Sequence, residues 1–223
     1  MTRYRFRMRF RKQDDLRLIS HRDLVRAIER LFRRCDLPLR MSEGFHPKAK
    51  MSFPLALSLG IASDGEVMEF ELTEPIDASQ LRRQLASQAP QGLEITELRM
   101  LEDGEGKAQV RAVVYQFPIP DSRHAQVREM LTQFSRQDSF LIRRDGTNRQ
   151  IDVKAGSDHL EIRDGNLEFR LPVNRSGSVR PREVLQALGV ADLENEGCYL
   201  TRTGVEIAPL TEQPQVSVER RTT

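Results

Sequence analysis

The stretch Tyr4-Arg-Phe-Arg-Met-Arg-Phe-Arg11 alternates strictly between apolar residues and arginines over eight positions. Successive side chains of a β-strand point to opposite faces of the sheet, so this period of two predicts a half-buried strand. The buried face would carry Tyr4, Phe6, Met8 and Phe10. The other face would carry Arg5, Arg7, Arg9 and Arg11. Any fold proposed for the first half must therefore cover one side of this strand.

A helix is predicted to follow this strand. Ser20, with Asp23 three residues later, has the spacing of an N-terminal cap, and Pro38 ends the segment. The apolar residues that recur at helical spacing are Leu24, Ala27, Ile28, Leu31, Phe32 and Cys35. Cys35 lies on this stripe, and we interpret it as a buried free thiol.

The sequence of the rest of the first half predicts a strand, a helix and a second strand. The strands are 66–73 and 93–100, and Asp77 caps the helix between them. With a further strand beginning at Leu39–Ser42, the order is strand, helix, strand, strand, helix, strand. This order is typical of a four-stranded antiparallel sheet with both helices on one face.

The second half nearly repeats the pattern. Strands are predicted at 109–117 and 198–207, with helices capped at Asp121 or Ser122 and begun at Pro181. Asp145-Gly146 and Asp164-Gly165 predict two hairpins between them. The sequence therefore predicts an α+β fold of two tandem ferredoxin-like (βαββαβ) halves. The predicted domains are 1–102 and 108–208, with a polar linker between them and a disordered tail at 209–223.

Charge is unevenly distributed along the chain. Residues 1–60 contain 15 Lys and Arg against six Asp and Glu, a net charge of +9. The remaining residues contain 20 against 27, a net charge of −7. Such segregation favours an anionic partner for the first half, or attraction between the two halves.

The composition is that of a soluble protein. Apolar residues make up 38% of the chain, and no apolar run approaches the roughly 18 residues of a membrane span. The N-terminus shows no signal peptide, and two cysteines are too few for a disulfide framework. We therefore expect a cytoplasmic protein without a membrane partner.

The arginines of the first strand suggest two different roles. Spaced about 6.6 Å apart, they match the scale of successive phosphates in nucleic acid. Alternatively, they pair with carboxylates of neighbouring strands, at Glu69, Glu71 and Glu94. A second basic set would lie on the outer face of the first helix, away from the open face of the sheet. It consists of Arg22, Arg26, Arg30, Arg33 and Arg34. This set suggests a partner-binding surface, or simply a solvated helix face.

The segment 40–53 follows neither helical nor strand periodicity. Its predicted recognition loop consists of Ser42, Gly44, Phe45, His46 and Pro47. If the loop reaches the N-terminus of the first helix, His46, Lys48 and Lys50 converge with His21 on one phosphate or carboxylate. If it protrudes before the next strand begins, it lies at the opposite end and this convergence fails. The predicted anion- or RNA-binding residues are Arg5, Arg7, Arg9, Lys12, Ser20, His21, Lys48 and Lys50.

Catalytic chemistry is a weaker indication. A histidine acting as general acid or base would suit RNA cleavage, and the candidates are His21, His46 and Lys48. A metal site is not expected, because His21-x-Asp23 lacks a third ligand at motif spacing.

Several motifs carry a family resemblance. These motifs are residues 19–24, the arginines from Arg26 to Arg34, Ser42-Glu-Gly-Phe-His-Pro-Lys48, Met51-Ser-Phe53, Leu59-Gly-Ile61 and Glu66. Together they resemble the radical-SAM-associated domain of unknown function DUF2344. The likeness is good over about residues 4–73 and loose elsewhere. His46 stands where the family commonly has Asn, which argues against a catalytic imidazole. The resemblance implies a radical SAM protein as partner and an RNA-related task.

The leading hypothesis is a non-catalytic accessory module that binds RNA, tRNA or rRNA, or another anionic substrate, for a separate radical SAM enzyme. No cofactor is expected in this chain, because two cysteines cannot hold an iron–sulfur cluster, so the cluster and SAM belong on the partner. One alternative is a metal-independent ribonuclease that resembles CRISPR repeat-processing nucleases, with His21 or His46 assisted by Tyr4 or Lys48. Another is a purely protein-binding adaptor.

Overall fold

A computed structural model of the chain describes residues 3–144, 146–174 and 178–208. The strands are β1 (Tyr4–Lys12), β2 (Met51–Ser52), β3 (Ala62–Leu72), β4 (Leu93–Met100), β5 (Val110–Pro118), β6 (Leu141–Arg143), β7 (Gln150–Asp152), β8 (Asp158–Arg163), β9 (Asn166–Pro172) and β10 (Thr201–Ile207). The helices are α1 (His21–Arg34), α2 (Ala78–Gln88), α3 (Asp121–Arg136) and α4 (Pro181–Ala187). Two 3₁₀ helices cover Asp14–Leu18 and Ala191–Glu196. The predicted tail, 209–223, lies outside the described residues, as does Asp145 of the first predicted hairpin turn.

The main sheet has the strand order β4-β1-β3-β10-β5-β9-β8, with β2 paired to β3. All neighbouring strands are antiparallel except β3 and β10, which run parallel where Thr201 pairs with Ala62 and Arg202 with Ser63. The predicted mixed α+β chain with a mostly antiparallel sheet is confirmed. The strands of both halves belong to one sheet, a connection that the sequence did not predict.

The alternating sequence of β1 places its apolar side chains on one face of the sheet and its arginines on the other, as predicted. Phe6, Met8 and Phe10 are fully buried, and they pack in one hydrophobic cluster with the apolar stripe of α1. Ser20 caps α1, because its Oγ accepts a hydrogen bond from the Asp23 N–H at 3.2 Å. α1 therefore covers the apolar face of β1.

A second hydrophobic cluster belongs to the other half. It is built mainly from β5, β9 and α4, but Leu57, Ile61 and Val67 of the first half also lie in it. The apolar run that follows residue 53 thus enters the core of the second half. The two halves share packed residues as well as a sheet.

Candidate anion-binding hairpin and its surroundings

Arg7 of β1 is neutralised by two carboxylates. Its Nε and Nη2 donate to Glu69 Oε1 at 2.9 and 2.7 Å, and its Nη1 lies 3.0 Å from Glu105 Oε1. Arg5 Nη2 donates to Glu69 Oε2 at 3.3 Å. Because Arg7 is only 8% exposed, no phosphate can approach it from solvent.

The outer arginines of β1 are paired across to β4. Arg9 lies 3.7 Å from Glu97, and Arg11 donates to Glu94 at 2.8 Å. Glu71 instead accepts from Arg40 at 2.8 Å. Of the two roles suggested for these arginines, the structure therefore shows the paired one, with Glu69 and Glu94 as foreseen and Glu97 as a further partner.

The predicted linker is docked on this arginine face. Arg99 Nη1 and Nη2 donate to the two Glu105 oxygens at 2.9 and 2.6 Å, and Arg5 donates to the Glu105 carbonyl. Hydrogen bonding from Arg99, with Arg7 nearby, lowers the pKa of the Glu105 carboxyl. The Ala108 N–H also donates to Glu69 Oε1 at 3.0 Å. Sequence reasoning missed Glu105 because a polar, glycine-rich segment gives no periodic signal.

Lys12 and His21 both contact the interior of the fold. Lys12 is fully buried, its Nζ donates to the Ile19 carbonyl at 3.0 Å, and burial lowers its pKa. The His21 ring packs edge-on against Phe53 with centroids 5.0 Å apart. Its Nδ1 is shielded from solvent without a hydrogen-bond partner, and burial lowers its pKa. Lys12 is therefore not available to an anion at the surface, whereas His21 remains partly exposed.

Residues 39–50 form a protruding hairpin. The Ser42 N–H donates to the Lys48 carbonyl at 2.7 Å and the Lys50 N–H to the Arg40 carbonyl at 2.8 Å. The Ser42 hydroxyl accepts from the Lys48 N–H at 3.0 Å. Gly44 has a φ of +121°, which a side chain would strain. Ser42 and Gly44 thus shape the turn.

The hairpin emerges from the end of β3 that lies farthest from the start of α1. Its two roots pair with Glu71, since the Arg40 N–H donates to the Glu71 carbonyl and the Glu71 N–H to the Lys50 carbonyl. Lys12, which precedes α1, instead pairs with Ser63. Eight residue steps separate Ser63 from Glu71, which corresponds to about 26 Å along a strand. The chain therefore forms a hairpin before it rejoins β3 at Met51, which is the second of the two placements considered for this loop. His46 and Lys48 lie on the hairpin and do not converge with Ser20 and His21.

The hairpin tip is exposed, aromatic and basic. Phe45 is fully exposed, and His46, Pro47 and Lys48 are exposed beside it. Among the described residues, the side chains of His46, Lys48 and Lys50 have no ion-pair partner. Phe45 follows the exposed Glu43 and Gly44 and precedes His46 and Lys48, and packing does not explain its fully exposed ring.

The outer face of α1 carries five exposed arginines, as predicted. Arg26 pairs with Asp23 at 3.3 Å, and Arg34 donates to the Gln88 carbonyl at 2.7 Å. In the described part of the chain, Arg22, Arg30 and Arg33 have no side-chain partner. Because α1 leads directly into the hairpin, its last turn lies at the same end of the fold as the hairpin root.

A buried polar cluster, which no sequence pattern predicted, lies where β3 meets β10. Arg202 Nη1 donates to both Glu66 oxygens at 3.1 and 3.2 Å, and Arg202 Nη2 to the Tyr115 hydroxyl at 3.0 Å. Lys12 and Ser63 are fully buried nearby. The cluster joins three strands across the seam between the halves.

In the described residues, neither a metal-ligand cluster nor a helix that could span a membrane is found. No group of three His, Cys, Asp or Glu side chains there could hold a metal ion. Cys35 and Cys198 are both free, and burial raises the pKa of each thiol. None of the helices in residues 3–144, 146–174 and 178–208 is long and apolar enough to cross a bilayer.

Fold and site together describe a mixed α+β protein whose first half projects a basic hairpin from the edge of its sheet. Residues 5–181 match the family described as "Uncharacterized protein conserved in bacteria (DUF2344)", and the chain belongs to that family. A search of curated proteins found no match.

Proposed function

We propose that this chain is a non-catalytic binding module that holds single-stranded RNA through the hairpin at residues 39–50. The observation that carries the proposal is the fully exposed ring of Phe45 with His46 and Lys48 unpaired beside it. Aromatic side chains stack on unpaired bases while neighbouring cations contact phosphates, and this combination is typical of single-strand recognition.

The distribution of charge supports the hairpin over β1 as the RNA contact. Four arginines of β1 are matched by carboxylates beyond residue 60, so they contribute little to the external field. Cations of the first half without a partner among the described residues include Arg3, Lys48 and Lys50 at the hairpin end and Arg22, Arg30 and Arg33 on α1. An anionic strand would therefore be drawn to this end of the molecule.

The ribonuclease alternative has less support. Efficient general acid–base catalysis needs two groups held within hydrogen-bond reach of the same substrate atoms. His21 is packed against Phe53, outside the hairpin that carries His46 and Lys48, and Tyr4 pairs with Leu72 of β3. His46 and Lys48 share the hairpin, but they protrude into solvent, where preorganised electrostatic stabilisation is weak.

A radical SAM enzyme is the proposed partner, as the family resemblance implies, and α1 is the proposed docking surface. The unpaired Arg22, Arg30 and Arg33 suit an acidic surface. The cluster and SAM would lie on the partner. Free Cys35 and Cys198 fit a reducing compartment, and we place the pair in the cytoplasm.

Each half is proposed to be a ferredoxin-like unit. In the first half the strand order β4-β1-β3-β2 places the two central strands as that fold requires, and β10-β5-β9-β8 repeats it in the second. The two units would be joined by β10, the edge strand of the second unit, which pairs with the start of β3 while β2 pairs near its other end. The hairpin β6–β7 is the insertion in the second unit.

Filter binding of single-stranded RNA at two salt concentrations tests the RNA proposal. Stacking on an aromatic ring contributes about 1–3 kcal/mol per base, so Phe45→Ala should weaken binding about 5- to 150-fold. Tyr199→Ala is the matched control, because Tyr199 is also an exposed aromatic but lies in the second half. If the native chain does not bind RNA at low salt, the proposed RNA-binding function is wrong.

Charge reversal on α1 separates the two proposed contacts. Arg30→Glu with Arg33→Glu should abolish pull-down of the radical SAM protein from the same organism. The variant should retain RNA binding within a few-fold, since the hairpin is unchanged. Retention of the partner by the variant would remove α1 as the docking surface.

A further inference from the structure

We propose that a groove beside the hairpin root is a phosphate-binding site. The groove has a volume of about 410 Å³ and lies over the end of β3, between β1, β2 and the segment that follows Glu105. The charged residues that line it are Arg3, Arg5, Lys50, Lys107, Glu69 and Glu71. This proposal rests on the proposed RNA function and names the group that the same surface would recognise.

Both carboxylates of the groove are already neutralised. Glu69 accepts from Arg5, Arg7 and the Ala108 N–H, so both its oxygens are occupied. Glu71 accepts from Arg40, whose guanidinium is not one of the groove's lining groups. The carboxylates therefore hold the arginines in place and leave little negative charge to repel a ligand.

Three cations of the groove are not compensated. Within residues 3–144, 146–174 and 178–208, the side chains of Arg3, Lys50 and Lys107 have no ion-pair or hydrogen-bond partner. They come from three separate segments, the start of β1, the hairpin root and the linker. Convergence of three unpaired cations on one cavity favours a compact ligand with several anionic oxygens, and phosphate is such a group.

The size and position of the groove restrict the kind of ligand that it could bind. A cavity of about 410 Å³ is near the lower end of small-ligand sites, so it suits one phosphate with its attached sugar and not a duplex. Lys50 lies five residues after Phe45, at the root of the same hairpin. An RNA strand stacked on Phe45 would therefore pass the groove. The phosphate can come from a free 5′ end or from an internal phosphodiester.

The decisive experiment titrates inorganic phosphate into the full chain at low salt and follows backbone amide shifts by NMR. Amides at 50–52 and 105–108 should shift, and Lys50→Gln with Lys107→Gln should weaken phosphate binding at least tenfold. Arg128→Gln with Arg163→Gln is the control, because these exposed cations lie in the second half and should leave binding unchanged. Shifts confined to other regions, or an unchanged affinity in the lysine variant, would overturn the site.

Oligonucleotides then identify the source of the phosphate. If the lysine variant loses affinity for 5′-phosphorylated RNA only, the site takes a terminal phosphate; if it loses affinity equally for 5′-hydroxyl RNA, the site takes an internal one. Phosphate binding without RNA binding would support the groove and contradict the RNA function. RNA binding that is indifferent to both lysines, with no phosphate shifts, would leave the function standing and reject the groove.

Discussion

His21 carries an acid-sensitive part of the folding free energy. Burial lowers the pKa of its imidazole; Lys12 and Arg202 add to the shift, and Glu66 opposes it. Between the folded and the unfolded pKa, only the unfolded chain takes up this proton. The associated stability is thus present above the ordinary pKa of histidine, about 6.5, and is lost as the pH falls towards the folded value.

We therefore expect His21→Gln to flatten the pH dependence of stability in the acid direction. The free energy of unfolding in urea, compared at pH 7.5 and pH 5.0, should fall less in the variant than in the native chain. His46→Gln is the control, because the His46 ring is exposed at the hairpin tip. An identical acid loss in the native chain and the His21 variant would contradict this account of the partly buried ring.

At the level of elements, the linker stabilises β1. Glu105 is 8% exposed and bonded to Arg99, with Arg7 close by, and its lowered pKa means that it stabilises the fold as a carboxylate. This stability is present above the unfolded pKa, about 4.3, and is lost as the pH falls through the lower folded value.

Glu105→Gln should reduce the free energy of unfolding at pH 7 by about 1–3 kcal/mol, because it leaves buried guanidinium donors poorly matched. Urea denaturation measures this change. Glu102→Gln is the neighbouring control, since Glu102 is exposed and contacts Glu105 only through its backbone N–H and carbonyl. Equal stability of the two variants would mean that the linker does not support β1.

The elements also show what sequence reasoning can reach. The alternation of β1 predicted its buried face, and the Ser20 cap predicted the start of α1, because both signals are local. The end of the sheet that carries the hairpin depends on which residues of β3 bond to Arg40 and Lys50, a long-range choice that periodicity does not encode. Glu97 lies on a predicted strand and was within reach of the same reasoning, whereas Glu105 was not.

Across the whole molecule, the two halves are locked at the β3–β10 seam. Only two residue pairs join these strands, but Glu66 and Arg202 lie there with side chains 3% exposed. The charge segregation of the sequence is also largely resolved within the fold, because β1 arginines pair with carboxylates beyond residue 60. What remains uncompensated is concentrated at the hairpin end.

Glu66→Gln should lower the free energy of unfolding by about 3–5 kcal/mol, because it leaves the buried Arg202 without its carboxylate partner while Lys12 remains beside it. Its unfolding midpoint in urea should fall well below that of Arg163→Gln, which breaks an exposed ion pair. If Glu66→Gln lowers the free energy of unfolding no more than Arg163→Gln does, the contact between β3 and β10 is stabilised by packing alone.

The central claim is that RNA is held by the hairpin and not by the arginine face of β1. Photo-crosslinking of single-stranded RNA containing 4-thiouridine, followed by mass spectrometry of the peptides, tests it directly. The account predicts crosslinks within residues 41–50, centred on Phe45, that disappear in Phe45→Ala. Crosslinks confined to α1 or to the second half, and unchanged in that variant, would contradict it.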